Sequence, residues 1–409
     1  FAEELKIQER KVIDFSSSVN PLGVSKKVKA EIRKHLKYLN SYPDPEAKRL
    51  RKRLAQYHGI DLETILCGNG STELIYLIVR TLKPRRVFIP APTFSEYERA
   101  ILLQNTPLPP YLLPQGEGDS LKILSPSRGE DKGGGESQRS GICEPGSIKY
   151  FMLNKENGFE IIPDRFIEMM QNEGSLVSRH SEPVGESLNT SCNMAFLCNP
   201  NNPTGRLLKV VDVRKIADAA KELKCYLIVD EAFIDFCADD SVIEDVGKNP
   251  YLIVLRSMTA FYALSGLRLG YGVFPQRLVD RLKAYKEPWT VNNLSQRAAV
   301  VAFKDKFYRS ETLRLIKEEK RFLEKSFEKT GIKFFGSDAN FYLLKTNSAQ
   351  EMCQMLKIKG ILVRDCANFR GLDSTYLRVA VKSHRENVIL IKELTSILDK
   401  RNNEENKNR

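Results

Sequence analysis

Short apolar, often β-branched runs alternate with amphipathic stretches along most of the chain up to Pro288, and no other feature narrows the fold as far. Arg86–Pro90 (RVFIP), Ala195–Cys198 (AFLC), Cys225–Val229 (CYLIV) and Tyr251–Leu255 (YLIVL) read as strands buried on both faces. Between them lie helical patterns. After Gly205, for example, Val213, Ile216, Ala220 and Leu223 share one face, with Arg214, Lys215 and Asp218 elsewhere. Parallel strands need long crossovers, and helices on both faces supply them, so the expected class is α/β with a mostly parallel sheet. With 409 residues, 42% of them apolar, the chain can bury a large core. Beyond Pro288 the pattern changes to a long charged helix, Phe307–Lys329, and then to shorter αβ units. We therefore expect a large domain over 46–287 and a smaller α+β domain from 1–45 with 288–400. Residues 401–409 form a polar tail, expected to fray. Two stretches near 115–147 and 172–193, rich in small and polar residues, are expected to be mobile surface insertions.

Composition removes several classes of function. No apolar run approaches the roughly 18 to 20 residues that span a bilayer. The eight cysteines form no CxxC pair and there are only four histidines, so zinc-site spacing is absent. Cys67, Cys198 and Cys225 fall in or beside strand-like runs, where a thiol serves as a small hydrophobe. A reduced, cytoplasmic protein is expected. The net charge of +12 raises nucleic acid as a partner, but Lys and Arg are spread through helices among Glu, with no basic aromatic stripe. A solvated surface that favours anionic ligands accounts for the charge. Neither nucleic acid nor membrane is expected as a partner.

Four segments carry chemistry. In CGNGSTELI (Cys67–Ile75) a strand-like run ends at Gly68 and a helix begins near Glu73. Gly70, Ser71 and Thr72 lie at the turn, where backbone N–H groups and the helix dipole favour a phosphate, although a plain helix cap uses the same residues. It is neither a Rossmann fingerprint nor a P-loop. NPNNPTG (Asn199–Gly205) follows a strand, at the end where open α/β sheets place ligands; Asn202 can donate its amide there. In VDEAFIDF (Val229–Phe236), Asp230 ends an apolar strand and needs a cation, either a protonated ring nitrogen or a structural arginine. LRSMTAFYALSGLRLGY (Leu255–Tyr271) offers the Ser257 and Thr259 hydroxyls and the Arg268 fork for a phosphate, and Gly266 and Gly270 suggest close backbone approach.

In this order and spacing the four segments resemble those of fold-type-I pyridoxal-phosphate (PLP) enzymes, in the histidinol-phosphate aminotransferase branch. The family's fourth motif, S-x-[ST]-K-x(5)-G-x-R-x-G, matches at every named position except the lysine, where Ala260 stands. The resemblance implies that Asp230 pairs with the pyridinium nitrogen of PLP, Asn202 holds the ring's phenolate oxygen and Phe94 stacks on the ring face. It implies that Gly70, Ser71, Thr72, Ser257 and Arg268 bind the cofactor phosphate. Tyr42 would reach that phosphate from a second copy, in a homodimer with shared active sites. Arg378, in YLRVAVK, would bind the carboxylate of the substrate. Phe233 replaces the tyrosine common in the aminotransferases.

Within the branch, DFSSSVNPLG (Asp14–Gly23), EPWTVN (Glu287–Asn292) and RDCANFRGL (Arg364–Leu372) are similar to the threonine-phosphate decarboxylases of cobalamin biosynthesis. The histidinol-phosphate aminotransferases are the alternative. The reaction is selected by which bond at Cα stands perpendicular to the cofactor ring. The groups that hold a phosphorylated amino acid therefore decide it: Arg364, Arg370, Lys382 and the Ser16–Asn20 loop, Asn20 in particular, are candidates. Ala260 can neither anchor PLP covalently nor serve as acid or base at Cα. Either it was introduced to trap a substrate adduct, or it is natural and the chain is a PLP-binding pseudoenzyme with a regulatory or scaffold role.

Overall fold

A computed structural model describes residues 12–104, 147–171 and 193–407, with side chains as far as residue 399. The stretches expected as insertions lie almost wholly outside the described residues. The central sheet has seven strands, in spatial order Ile65–Gly68, Gly270–Val273, Leu252–Ser257, Tyr226–Asp230, Met194–Cys198, Arg86–Ala91 and Ser147–Met152. Only Gly270–Val273 runs against the rest. The others are parallel, as crossover helices require.

Alternation along the strands divides the core into two layers. Phe196, Ile228 and Ile253 face the helices Ser71–Leu82, Glu96–Gln104 and Gln276–Tyr285. Leu197, Leu227, Val229 and Val254 face the other way, against Phe166, Val213, Ile216 and Ala220. The expected stripe of the Val210–Glu222 helix is the buried one, because residues three and four apart share a face.

A four-stranded antiparallel sheet, with Arg364–Asp365, Tyr376–Ala380, Phe341–Lys345 and Lys333–Phe334 in that order, packs against the helices Lys306–Thr330 and His384–Lys407 around a third core cluster. Ile13–Asp14 pairs with Ile361–Leu362 and brings the start of the described chain to this unit. The long helix begins at the Asp305 cap and ends at Gly331, whose φ of +71° suits a left-handed cap. The last helix runs on to Lys407, so most of the tail expected to fray is helical; its Glu, Asn and Lys residues tolerate helix, and no Pro or Gly stops it.

Candidate active site

Parallel strands deliver their last residues to one edge of the sheet, and the chemistry gathers there. A cavity of about 360 Å³ is lined by Gly70, Ser71, Thr72, Phe94, Asn202, Asp230, Phe233, Ser257, Ala260, Arg268 and Arg378, together with Ser17, Ser18 and Val19. All but Phe233 are site residues or members of the Ser16–Asn20 loop expected from the sequence, Ala260 among them, and they come from separate stretches of chain.

Asp230 sits at the floor, 2% exposed, as the last residue of its strand. Its Oδ2 accepts from the Tyr97 hydroxyl at 2.8 Å and its Oδ1 from the Ala232 N–H at 3.1 Å. Burial pushes its carboxyl up to about 6, against the lowering effect of those two bonds. No cation answers it among the described residues. The nearby buried arginine, Arg256, is committed elsewhere, 2.8 Å from Glu231 and 3.4 Å from Asp235. The structural-arginine alternative therefore applies to the neighbouring acids and leaves Asp230 short of a positive charge.

At one side, the helix Ser71–Leu82 begins behind Gly70, whose φ is +83°. A Cβ on Gly70 would lie 2.6 Å from Arg268 Nη2, so the guanidinium rests directly on the turn. Arg268 itself has φ +54°, a conformation of the kind that costs roughly 1–3 kcal/mol and concentrates at functional sites. Gly270 lets this happen, since a Cβ there would come within 2.2 Å of the Ser71 nitrogen. Gly266, expected to allow a similar approach, has open space beside it: a Cβ there would meet nothing within 4 Å. Of the pair, close approach belongs to Gly270. The turn, with its outward N–H groups, the Ser257 end of a strand and Arg268 make a cradle for a phosphate.

On the opposite side is Arg378, 8% exposed, on the Tyr376–Ala380 strand. Its Nη1 donates to Asn202 Oδ1 at 2.5 Å and its Nη2 to the Ser16 carbonyl at 2.7 Å. Its Nε has no partner among the described residues. Burial lowers its guanidinium to about 10. Neither Arg378 nor Arg268 has a carboxylate within ion-pair distance among the described residues. Phe94 lines the wall between them and meets Tyr97 edge-on, 5.6 Å between ring centres.

Several expected residues lie elsewhere. Asn20 is not a cavity residue: its side chain is consumed by buried bonds to Phe261, Tyr308 and Thr312. Its loop neighbours Ser17, Ser18 and Val19 form the wall instead. Arg364 lies opposite Arg378 on the adjacent strand, donates to Asn368 at 2.9 Å and covers the Phe369 ring, outside the cavity. Arg370 pairs with Glu98 at 2.8 Å and stacks over Tyr150 at 4.0 Å. Lys382 is largely buried beside Asp14 and does not line the cavity. Tyr42 is 84% exposed and leans on Trp289, far from saturating any contact within its own chain. The residue missed is Tyr97; a buried Asp announces that it needs donors, but nothing in the sequence says which tyrosine supplies one.

The sequence matches the family described as aminotransferase class I and II over residues 10–120 and 144–394, and the chain belongs to that family. It is 32% identical over 401 residues to a threonine-phosphate decarboxylase from Salmonella typhimurium, covering 97% of this chain and 94% of that one. It is 29% identical to histidinol-phosphate aminotransferase 2 of Archaeoglobus fulgidus, over 95% and 94% of the two chains. Among solved structures, the histidinol-phosphate aminotransferase from Clostridium acetobutylicum aligns with a TM-score of 0.76 at 26% identity, covering 95% of this chain and all of that one. The L-threonine-O-3-phosphate decarboxylase from Porphyromonas gingivalis shares the fold at 0.71 and 23% identity, over 95% and 100%. Pyridoxal 5′-phosphate is the cofactor of this family. The residues present fit it: an uncompensated acid for the ring nitrogen, and a glycine-opened cradle whose guanidinium has no carboxylate partner for the phosphate.

Proposed function

We propose that this site is that of a decarboxylase converting L-threonine phosphate to aminopropanol phosphate in cobalamin biosynthesis, and that Ala260 disables it. Asp230 carries the cofactor reading: a carboxylate sealed from water without a cation, between two arginines without carboxylates. The choice of reaction within the family leans on the 32% relative.

Bound here, pyridoxal phosphate supplies an electron sink for the pair released at Cα of an amino acid. The rest is the work of the chain. Asp230, locked by Tyr97 and the Ala232 N–H, would keep the ring nitrogen protonated, because a cation offsets the desolvation that raises its own pKa. Asn202 has its oxygen occupied by Arg378, which leaves its amide N–H groups for the ring's phenolate oxygen. Phe94 would cover the ring face, and Gly70, Ser71, Thr72, Ser257 and Arg268 would hold the phosphate. Arg378, fixed by Asn202 and the Ser16 carbonyl, would receive the substrate carboxylate and so set its angle to the ring. Phe233 puts a phenyl ring where a tyrosine would add a hydrogen bond. No lysine lines the cavity among the described residues, so no amine is at hand for covalent attachment or proton transfer at Cα.

The proposal includes a homodimer in which Tyr42 completes the partner's phosphate cradle, a cytoplasmic location, and the division into a large unit, 46–287, and a small one. The second reading, histidinol-phosphate aminotransferase, is favoured by the 29% relative and the TM-score of 0.76. A PLP-binding pseudoenzyme is favoured by Ala260 alone, and the otherwise complete cavity speaks against it. Calorimetric titration of the PLP-loaded chain separates the first two, because histidinol phosphate has no carboxylate for Arg378. The decarboxylase reading expects L-threonine phosphate to bind the more tightly, and Arg378→Ala to weaken it roughly tenfold or more, the loss of a charged hydrogen-bonded pair. Preference for histidinol phosphate, indifferent to Arg378→Ala, would support the aminotransferase.

A further inference from the structure

The polar side chain of the opening loop that was expected to meet substrate is already spent. Asn20 is 2% exposed. Its backbone N–H donates to the Ala260 carbonyl at 2.9 Å. Its side-chain amide donates to the Phe261 carbonyl at 2.8 Å, Thr312 Oγ1 at 2.7 Å and the Tyr308 hydroxyl at 3.0 Å, two hydrogens shared among three acceptors. Its Oδ1 accepts from the Leu22 N–H at 3.0 Å. The loop before it is stapled twice more, at the Ser16 carbonyl by Arg378 and at the Ser18 carbonyl by Asn340 at 3.0 Å. One residue thus joins the Ser17–Val19 wall of the cavity to the two successive carbonyls that follow the Ala260 and Phe261 α-carbons.

Resting on the reading of the cavity as a PLP site, we infer that Asn20 is a positioning residue for position 260. The direction of a Cα–Cβ bond is set by the peptide planes that flank it, and the plane after residue 260 is held by Asn20. A lysine stem has many rotamers and loses little by missing its target, so delivery of its nitrogen depends on how the backbone is aimed. Productive geometry tolerates errors of only about 0.5 Å and 10–20°. With the second of the two carbonyls also bonded to Asn20, and Thr312 and Tyr308 of the long helix behind it, the turn has no freedom to rotate away from the cavity.

The test uses Ala260→Lys protein mixed with pyridoxal phosphate, and measures how fast borohydride fixes the cofactor to position 260, identified by peptide mass. Adding Asn20→Ser should slow this trapping at least tenfold and shift the pH midpoint of the bound chromophore. In the chain that keeps Ala260, Asn20→Ser should change the noncovalent affinity for pyridoxal phosphate less than twofold. Thr312→Val, which removes one acceptor but leaves the peptide bonds to Asn20 in place, should leave trapping within twofold. Should Asn20→Ser fail to fold, Asn20→Ala, which brings in no buried charge, serves in the same comparison. Trapping by the Asn20 variant within twofold of its Ala260→Lys parent, or slowed only in proportion to lost noncovalent affinity, overturns the inference. An Ala260→Lys parent that binds no cofactor at all overturns the cavity reading itself, and the inference with it.

Discussion

Asp230 shows most clearly how a single residue carries function at the expense of stability. With its pKa moved from an ordinary 3.8 to about 6 by burial, the native state holds its proton more tightly than the unfolded chain does. Linkage then makes the cofactor-free protein lose stability as pH rises from about 4 to about 6, by roughly 3 kcal/mol in order of magnitude, with no further loss above. Asp230→Asn removes the charge and keeps the shape. Thermal unfolding without cofactor should find the variant little different at pH 4.5 and clearly more stable at pH 7.5; equal or reversed gaps would contradict the account. His58 works in the opposite sense. Burial and the charges of Arg256 and Arg309 lower its imidazole to about 3, so the unfolded chain binds the proton first below about 6.5 and stability falls with acid. His58→Gln, which can keep a bond to the Tyr271 hydroxyl, should lose less stability than the parent between pH 7 and pH 5, measured by denaturant unfolding. Asp230 and Arg268 were legible as candidates because one ends an apolar strand and the other sits in a glycine-flanked motif, whereas Arg378, in the middle of its strand, entered only through the family resemblance. Asn20 was legible only as important: an asparagine between a valine and a proline looks the same whether it faces substrate or backbone.

Among the elements, the strands were visible as apolar runs, but their ends were displaced by a residue or two. Leu252–Ser257 ends at Ser257, so that residue belongs to the strand and reaches the cavity from its tip. Gly270–Val273 was not visible as a strand, since two glycines in four residues oppose strand propensity. It is one because those glycines are required by neighbours: Gly272 is crowded by Phe274 and Leu255, and Gly270 by the Gly70–Ser71 turn. Gly270→Ala should push that turn away, costing about 1–3 kcal/mol of stability and at least tenfold in pyridoxal-phosphate affinity. Gly266→Ala, with open space around it, should stay within about 0.5 kcal/mol and bind as before. Calorimetric titration and denaturant unfolding of the two variants provide the comparison; equal effects would remove the close approach from the argument.

At the level of the whole molecule, one group of exposed apolar side chains follows the opening helix, while others such as Val211, Phe307 and Ile358 stand singly elsewhere on the surface. Leu36, Leu39, Tyr42 and Trp289 are each about half exposed or more. Tyr42 and Trp289 lean on each other, and a contiguous exposed apolar patch is the kind of surface a partner covers. The proposed homodimer would cover them and lend Tyr42 to the partner. The chain should therefore sediment at twice its monomer mass, and Leu39→Glu should shift it toward monomer while weakening pyridoxal-phosphate binding. A parent that sediments as monomer at tens of micromolar would remove the shared site. The fold class was legible at this scale because a repeating strand–helix alternation has few solutions. Which surfaces meet was not, since exposure is a property of the folded chain.

The most direct test of the central claim restores the missing amine. Ala260→Lys protein would be supplied with pyridoxal phosphate and carboxyl-labelled L-threonine phosphate, and released carbon dioxide counted against the unaltered chain. The account predicts rapid release from the variant and little or none from the chain with Ala260. Retention of the label in a keto acid, or glutamate-dependent turnover of histidinol phosphate in its place, would contradict it.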